Sequence, residues 1–106
     1  MSAWLAVLIA VLLEPLMALA LKEAQGFTRF WPTMIVLACS VAALGLLSFA
    51  MKSLPIGTAY AVWVGLGAAA VALAGVLALG ESLALARIAS IALILIGVIG
   101  LKLGAA

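Results

Sequence analysis

The amino-acid sequence predicts an all-α membrane protein in which a single domain contains four transmembrane helices. Of its 106 residues, 71% are hydrophobic and 8% are charged, whereas a soluble domain is about half apolar and about a quarter charged. The mean hydropathy is +1.55, and a chain this small cannot hide so much apolar surface in its own core. Four apolar segments approach the length of about 20 residues that a helix needs to cross the hydrocarbon layer.

The predicted spans follow one another with short polar breaks. The polar stretch from Lys22 to Arg29 ends the first span, and Pro32 precedes the second. Pro55 suits the first turn of the third helix, and residues 80–82 separate the third span from the fourth. The spans are predicted at residues 3–21, 33–51, 57–79 and 83–103. Loops this short place consecutive helices antiparallel to each other.

The composition argues against catalysis, metal binding and nucleic-acid binding. The chain has no histidine and a single cysteine, Cys39, so we expect neither a zinc site nor an internal disulfide. Five basic residues are too few for a nucleic-acid surface. The sequence has no nucleotide-binding loop and no visible nucleophile–base pair. We therefore expect no cofactor and no enzymatic activity, and we expect the protein to be embedded in the lipid bilayer.

The basic residues give almost no preference for one orientation in the membrane. With four spans, one side carries Lys52 and Lys102, and the other carries Lys22, Arg29 and Arg87. The positive-inside rule depends on the difference in basic residues between the two sides, which is small here. We therefore expect insertion in both orientations, and with it antiparallel self-association.

Glu14 is the ionisable residue that lies near the middle of a predicted span. A charge at that depth costs about 3 kcal/mol or more, and such residues typically belong to ion or substrate pathways. Because desolvation disfavours the ionised carboxylate, we expect Glu14 to exchange a proton for an arriving cation, which would give exchange transport. The alternative is a permanently protonated glutamate that hydrogen-bonds across a helix interface.

Aromatic and small apolar residues are predicted to surround Glu14. Tyr60 and Trp63 share a face of the third helix, and their rings suit an organic cation. The alternative for both is a place in the aromatic belt at the membrane interface. Further residues on these two helix faces are predicted to line the pocket: Ala10, Val11, Met17 and Val64.

Other small residues predict a helix bend and a dimer contact. Gly65 and Gly67 weaken the third helix near its centre, where a bend could change the side on which the site opens; close helix packing is the alternative. Pro15 leaves the carbonyl of Val11 without its helical partner and is expected to kink the first helix beside Glu14. A stripe on the fourth helix is predicted to form the dimer contact: Ser90, Leu93, Ile94, Gly97 and Val98.

Taken together, these motifs resemble the small multidrug resistance family of bacterial transporters. The resemblance includes Glu14, the first-loop segments 26–29 and 31–32, and residues 55–63 at the start of the third helix. It implies a multi-pass protein of the bacterial inner membrane that works as an antiparallel, dual-topology homodimer. It also implies exchange of protons for organic cations at paired Glu14 residues, with Tyr60 and Trp63 in the site.

Within the family, segments 53–58 and 97–102 resemble the guanidinium-exporter branch, whereas the pocket departs from it. Proteins of that branch typically have a glycine where this chain has Val11 and a tryptophan where it has Met17. They typically have a serine in place of Ala43 and a threonine or serine in place of Val64. The multidrug branch generally has a glycine at position 17, so this chain departs from that pattern too. Guanidinium N–H donors need hydrogen-bond acceptors, which these apolar residues do not supply.

The leading hypothesis from the sequence is therefore proton-coupled export of small organic cations of the quaternary ammonium type, with a betaine as a special case. One alternative is a guanidinium-type exporter with an altered pocket. Another is an accessory subunit of a heterodimeric transporter in which Glu14 is structural. The sequence leaves open the substrate, the proton stoichiometry, the choice between homodimer and heterodimer, and the structural effect of Pro15.

Overall fold

The computed structural model describes residues 1–104, and within them the chain forms four helices and no strand. The helices are α1 (Ala3–Glu23), α2 (Phe30–Ala50), α3 (Ile56–Leu79) and α4 (Leu85–Gly104). Each is long and apolar enough to cross a membrane, which confirms the predicted all-α membrane fold. The largest shift from the predicted spans is at the start of α2, which begins at residue 30 instead of 33 and takes Pro32 into its first turn.

Local signals in the sequence explain where the helices begin and end. Ser2 caps α1, because its side-chain oxygen accepts a 3.1 Å hydrogen bond from the backbone N–H of Leu5. Pro55 stands at the N-cap of α3. Gly80 ends α3 with a φ of 66°, and its N–H donates to the carbonyl of Gly75. That left-handed conformation favours glycine at the end of a helix.

The α1 helix is central, with α2 and α3 packed against it, and α4 packs against α3. Their shared core is made largely of small side chains, which let membrane helices approach closely. Its buried residues are Ala6, Val7, Ala10, Val11, Ala43, Leu47, Ala50, Ala59, Val62, Trp63 and Val98. Val98 is the buried residue of α4, so most of that helix faces outwards.

Contacts at the two ends of the bundle show the up-and-down order. Lys22 in α1 and Glu81 after α3 line one cavity, so the first and third loops lie at the same end. At the opposite end, Lys102 Nζ stands 4.8 Å from the centroid of the Trp4 ring, which joins the end of α4 to the start of α1. Consecutive helices therefore run antiparallel, as the short loops require.

Candidate functional site

The Glu14 side chain lies between α1 and α3, against Gly67. Glu14 is half-buried, and a Cβ atom built on Gly67 would stand 2.8 Å from its Cγ and 3.4 Å from its Cδ. A larger residue at position 67 would therefore displace the glutamate. Within residues 1–104, the ion pairs lie at one end of the bundle, at and beside the first and third loops. The Glu14 carboxylate forms no ion pair inside this part of the chain.

Trp63 holds α3 against α1 one turn away from Glu14. Its indole Nε1 donates a 3.3 Å hydrogen bond to the backbone oxygen of Ala10, and the residue is only 9% exposed. Ala10 precedes Glu14 by about one helical turn, and Trp63 precedes Gly67 by the same distance. Two successive contacts, Ala10 with Trp63 and Glu14 with Gly67, therefore join the two helices.

Tyr60 stands edge-on to Trp63 and reaches the surface of the chain. The two ring centroids are 5.4 Å apart and the ring planes meet at 80°, an edge-to-face arrangement that aromatic pairs prefer. Tyr60 is 49% exposed. Part of its ring therefore lies open at the surface of a single chain, beside the buried Trp63.

The other predicted lining residues divide between core and surface. Val11 and Ala43 are buried and belong to the same core cluster as Ala10, so the wall beside Glu14 is apolar on the α2 side. Met17 is half-buried. Val64 is about half exposed, and it therefore lies on the outer surface of the single chain, away from this core.

Ser40 is a polar residue of this region that the sequence analysis missed. Its hydroxyl donates a 3.1 Å hydrogen bond to the Sδ atom of Met17, across the packed α1 and α2 helices. Met17 shares a helix face with Glu14, so the hydroxyl reaches the same side of α1. The available signal was a serine near the middle of the second apolar span, about one turn before Ala43.

Pro15 lies inside α1, which continues as a helix on both sides of it. Beside Pro15 a cavity of about 160 Å³ opens between α1 and α3, with Lys22 and Glu81 at its outer end. The proline removes a donor from the carbonyl of Val11, and α1 stays helical there with α2 and α3 packed against it. The kink expected at Pro15 stays a prediction.

Gly65 and Gly67 lie in a continuous α3 and serve as contact points. A Cβ on Gly65 would stand 2.7 Å from Cγ2 of Val98 and 3.3 Å from Cγ2 of Ile94, so α4 packs directly on that glycine. Ile94 and Val98, predicted as dimer contacts, therefore contact α3 of their own chain. The remaining residues of that stripe are exposed: Ser90, Leu93 and Gly97. The bend at the glycines and the dimer contact of the stripe stay predictions.

A second polar cluster, also missed from the sequence, fastens the start of α4 to α3. Arg87 Nη2 donates at 2.8 Å to Oε1 of Glu81 and at 3.3 Å to the carbonyl of Ala72. The Glu81 carboxylate packs so closely on Gly75 that a Cβ atom there would overlap it. Glu81 and Arg87 are six residues apart, as are Glu23 and Arg29 of the exposed first-loop pair. This shared spacing could have indicated the Glu81–Arg87 pair from the sequence.

Comparison with known proteins agrees with this architecture. Residues 2–94 match the family model described as Small Multidrug Resistance protein. The chain belongs to the small multidrug resistance family. Relatives named guanidinium exporter are 54% identical over 101 residues in Yersinia pseudotuberculosis, covering 95% of this chain and 97% of the relative. In Citrobacter freundii the identity is 51% over 100 residues, covering 94% and 95%. In Salmonella typhimurium strain LT2 it is 51% over 102 residues, covering 96% and 97%.

Family membership confirms several predictions made from the sequence. The chain is a transporter of the small multidrug resistance family and not an enzyme. With its four spans it is a multi-pass protein of the bacterial inner membrane. The predicted closeness to the guanidinium-exporter branch is also confirmed. The leading expectation of quaternary ammonium substrates finds no support in these relatives, whose name fits the alternative better.

Proposed function

We propose that this chain exports guanidinium or a closely related cation in exchange for protons, at a site made by Glu14 from two antiparallel copies. The observation that carries the proposal is the 54% identity, over 95% of the chain, to a protein named guanidinium exporter. The position of Glu14 between α1 and α3 supports it, because an acidic side chain inside the membrane is a natural ligand for a cation.

Exchange follows from competition for the same carboxyl oxygens. A protonated Glu14 is neutral and cannot balance a bound cation, whereas an ionised Glu14 can. In a low-dielectric surrounding the attraction between carboxylate and guanidinium is much stronger than in water, and the bond between them is charge-assisted. When the cation leaves and a proton returns to Glu14, one cycle exports the cation at the expense of the proton gradient.

A dimer is proposed because one chain does not enclose Glu14. The Glu14 side chain is half-buried, and Tyr60, which packs edge-on against Trp63, is open to the surface. A second copy packed over this face would cover both residues and would bring a second carboxylate to the cation. The near balance of basic residues between the two sides makes opposite orientations of the two copies accessible.

The apolar wall favours a second candidate substrate. Val11 and Ala43 are buried beside the site and offer no side-chain acceptor. A quaternary ammonium cation has no N–H donors and needs only the carboxylate charge and the aromatic faces of Tyr60 and Trp63. Guanidinium, in contrast, needs acceptors for its N–H groups, which the two carboxylates and the Tyr60 hydroxyl would provide.

The test is proton-coupled exchange in liposomes that contain the purified chain and an internal pH dye. An outward guanidinium gradient should drive proton uptake into the lumen with the unmodified chain and should not do so with Glu14→Gln. Glu23→Gln is the matched control, because Glu23 is an exposed glutamate that pairs with Arg29 in the first loop. We expect this control to keep its transport.

Each other outcome points to a different function. Exchange with tetramethylammonium but not with guanidinium would replace the substrate class and keep the mechanism. Equal exchange by Glu14→Gln would refute the role of the carboxylate. If the chain alone stays monomeric in cross-linking experiments and binds neither cation, it is an accessory subunit that needs a different partner chain.

A further inference from the structure

The hydroxyl of Ser40 has an unusual partner for a serine in an apolar helix. Serine and threonine inside helices often donate to the carbonyl four residues earlier, as Ser90 does to Ala86 at 2.8 Å and Thr33 does to Arg29. Ser40 instead donates across the helix interface to the sulfur of Met17. Its hydroxyl is therefore directed from α2 towards α1.

The bond from Ser40 to Met17 is weak and easily exchanged. A thioether sulfur is a weak acceptor, and the unbranched side chain of methionine adopts many conformations. The lone pairs of the Ser40 oxygen are not used when the hydroxyl donates. A nearby N–H donor could therefore bond this oxygen without first breaking a strong interaction.

Ser40 faces the part of α1 that carries Glu14. Met17 follows Glu14 by three residues, a rise of about 4.5 Å along the helix axis. The side chain of a helical residue covers the turn before its own Cα, so Met17 extends towards Glu14. Around them, Ala10, Val11 and Ala43 are buried and apolar. Ser40 thus brings a hydroxyl to a wall whose buried side chains supply none.

We infer that Ser40 is a specificity-determining residue, whose hydroxyl oxygen accepts an N–H group of a guanidinium-type cation bound at Glu14. This inference rests on the proposed function. Binding would draw the hydroxyl oxygen away from Met17 and towards the substrate, with Met17 adjusting its side chain. A cation without N–H donors would gain nothing from this oxygen. Ser40 therefore favours guanidinium over a quaternary ammonium ion in an otherwise apolar pocket.

The experiment compares Ser40→Ala with the unmodified chain for guanidinium and tetramethylammonium, by titration calorimetry in detergent and by exchange in liposomes. Loss of one hydrogen bond to a charged group should weaken guanidinium binding roughly tenfold, with no change for tetramethylammonium where that ion binds. Ser40→Thr, which keeps the hydroxyl, should restore much of the affinity. Ser48→Ala is the matched control, because Ser48 is an exposed serine on the same helix.

The outcomes separate this inference from the proposed function. If the unmodified chain binds and exchanges guanidinium and Ser40→Ala does so equally well, the inference fails and the function stands. Equal weakening for both cations would also refute it, because the loss would then be structural. If the unmodified chain does not handle guanidinium at all, the proposed function fails and Ser40 has no such role. Should Ser40→Ala not reconstitute, Ser40→Cys replaces the hydroxyl by a poor acceptor of similar size and decides the matter.

Discussion

The side chain of Glu14 in α1 packs against Gly67 in α3, in space that a side chain at position 67 would need. A Cβ atom at position 67 would come within 2.8 Å of the Cγ of Glu14, closer than side-chain atoms can approach. Because Gly67 has no side chain, it leaves the space that the Glu14 side chain occupies. The neighbouring contact, from Trp63 to the carbonyl of Ala10, fixes the same two helices one turn away.

Replacing Gly67 with alanine should disturb the site itself. We expect Gly67→Ala to push the Glu14 side chain out of its place and to destabilise the fold by about 1–3 kcal/mol, as overpacked cores do. Guanidinium affinity should fall as well. Gly45→Ala is the control, because a Cβ atom there meets nothing within 4 Å. Thermal unfolding in detergent and calorimetric binding measure both effects, and equal behaviour of the two variants would contradict the packing argument.

Gly65 and Val98 should show coupled effects on stability. Gly65→Ala introduces a methyl group where Cγ2 of Val98 would stand 2.7 Å away, so α4 must move off α3. Val98→Ala removes that methyl group. In the double variant we therefore expect less destabilisation than the sum of the single variants, by roughly 0.5–3 kcal/mol. A double-mutant cycle on unfolding free energies measures this, and strict additivity would show that α4 does not rest on Gly65.

The indole N–H of Trp63 should contribute to holding α1 and α3 together. In Trp63→Phe the carbonyl of Ala10 loses a 3.3 Å hydrogen bond, which should cost about 0.5–1.5 kcal/mol, and the smaller ring adds a packing loss. Trp31→Phe is the control, since Trp31 is 74% exposed at the start of α2. The free energies of unfolding of both variants give the test. A loss at Trp31 as large as that at Trp63 would count against this role.

Pro15 should limit the stability of α1. Pro15→Ala restores an N–H donor to the carbonyl of Val11 and removes the ring that crowds it. Proline is less favourable than alanine inside a helix by about 3 kcal/mol, so we expect a more stable chain with a higher unfolding temperature. We also expect altered transport, because the proline borders both Glu14 and the cavity towards Lys22 and Glu81. An unchanged unfolding temperature would mean that neighbouring helices fully compensate the missing bond, and a lower one would contradict the prediction.

Proton and substrate should compete for Glu14, which fixes the sign of the pH dependence. Lowering the pH raises the proton occupancy of the carboxylate and therefore weakens cation binding. Raising the pH strengthens binding until the carboxylates are fully ionised. Where they are mostly protonated, the apparent Kd should change by about tenfold per pH unit for each proton displaced. Calorimetry at several pH values measures the slope, and a flat profile would show that protons and substrate do not share the site.

Much of this protein follows from its sequence because membrane insertion depends on local composition. A long apolar segment must form a helix in lipid to satisfy its own backbone hydrogen bonds, so composition and length were enough to predict the four helices. The same reasoning singled out Glu14, because a carboxylic acid in an apolar span is costly wherever the helix faces. The resemblance to the family could be recognised because its motifs are short continuous segments of the sequence, such as residues 26–29 and 55–63.

Only the tertiary structure decided which faces meet. A helix that is apolar all round gives no amphipathic signal for its orientation, and the sequence therefore did not show that Gly67 accommodates Glu14 or that Gly65 receives Val98. It likewise did not show that the Ser40 hydroxyl crosses to Met17, because residues on different helices become neighbours only through packing. In a lipid-exposed bundle, close van der Waals packing between small residues selects the helix faces that meet. This packing depends on the positions of all the helices together and cannot be read from one segment alone.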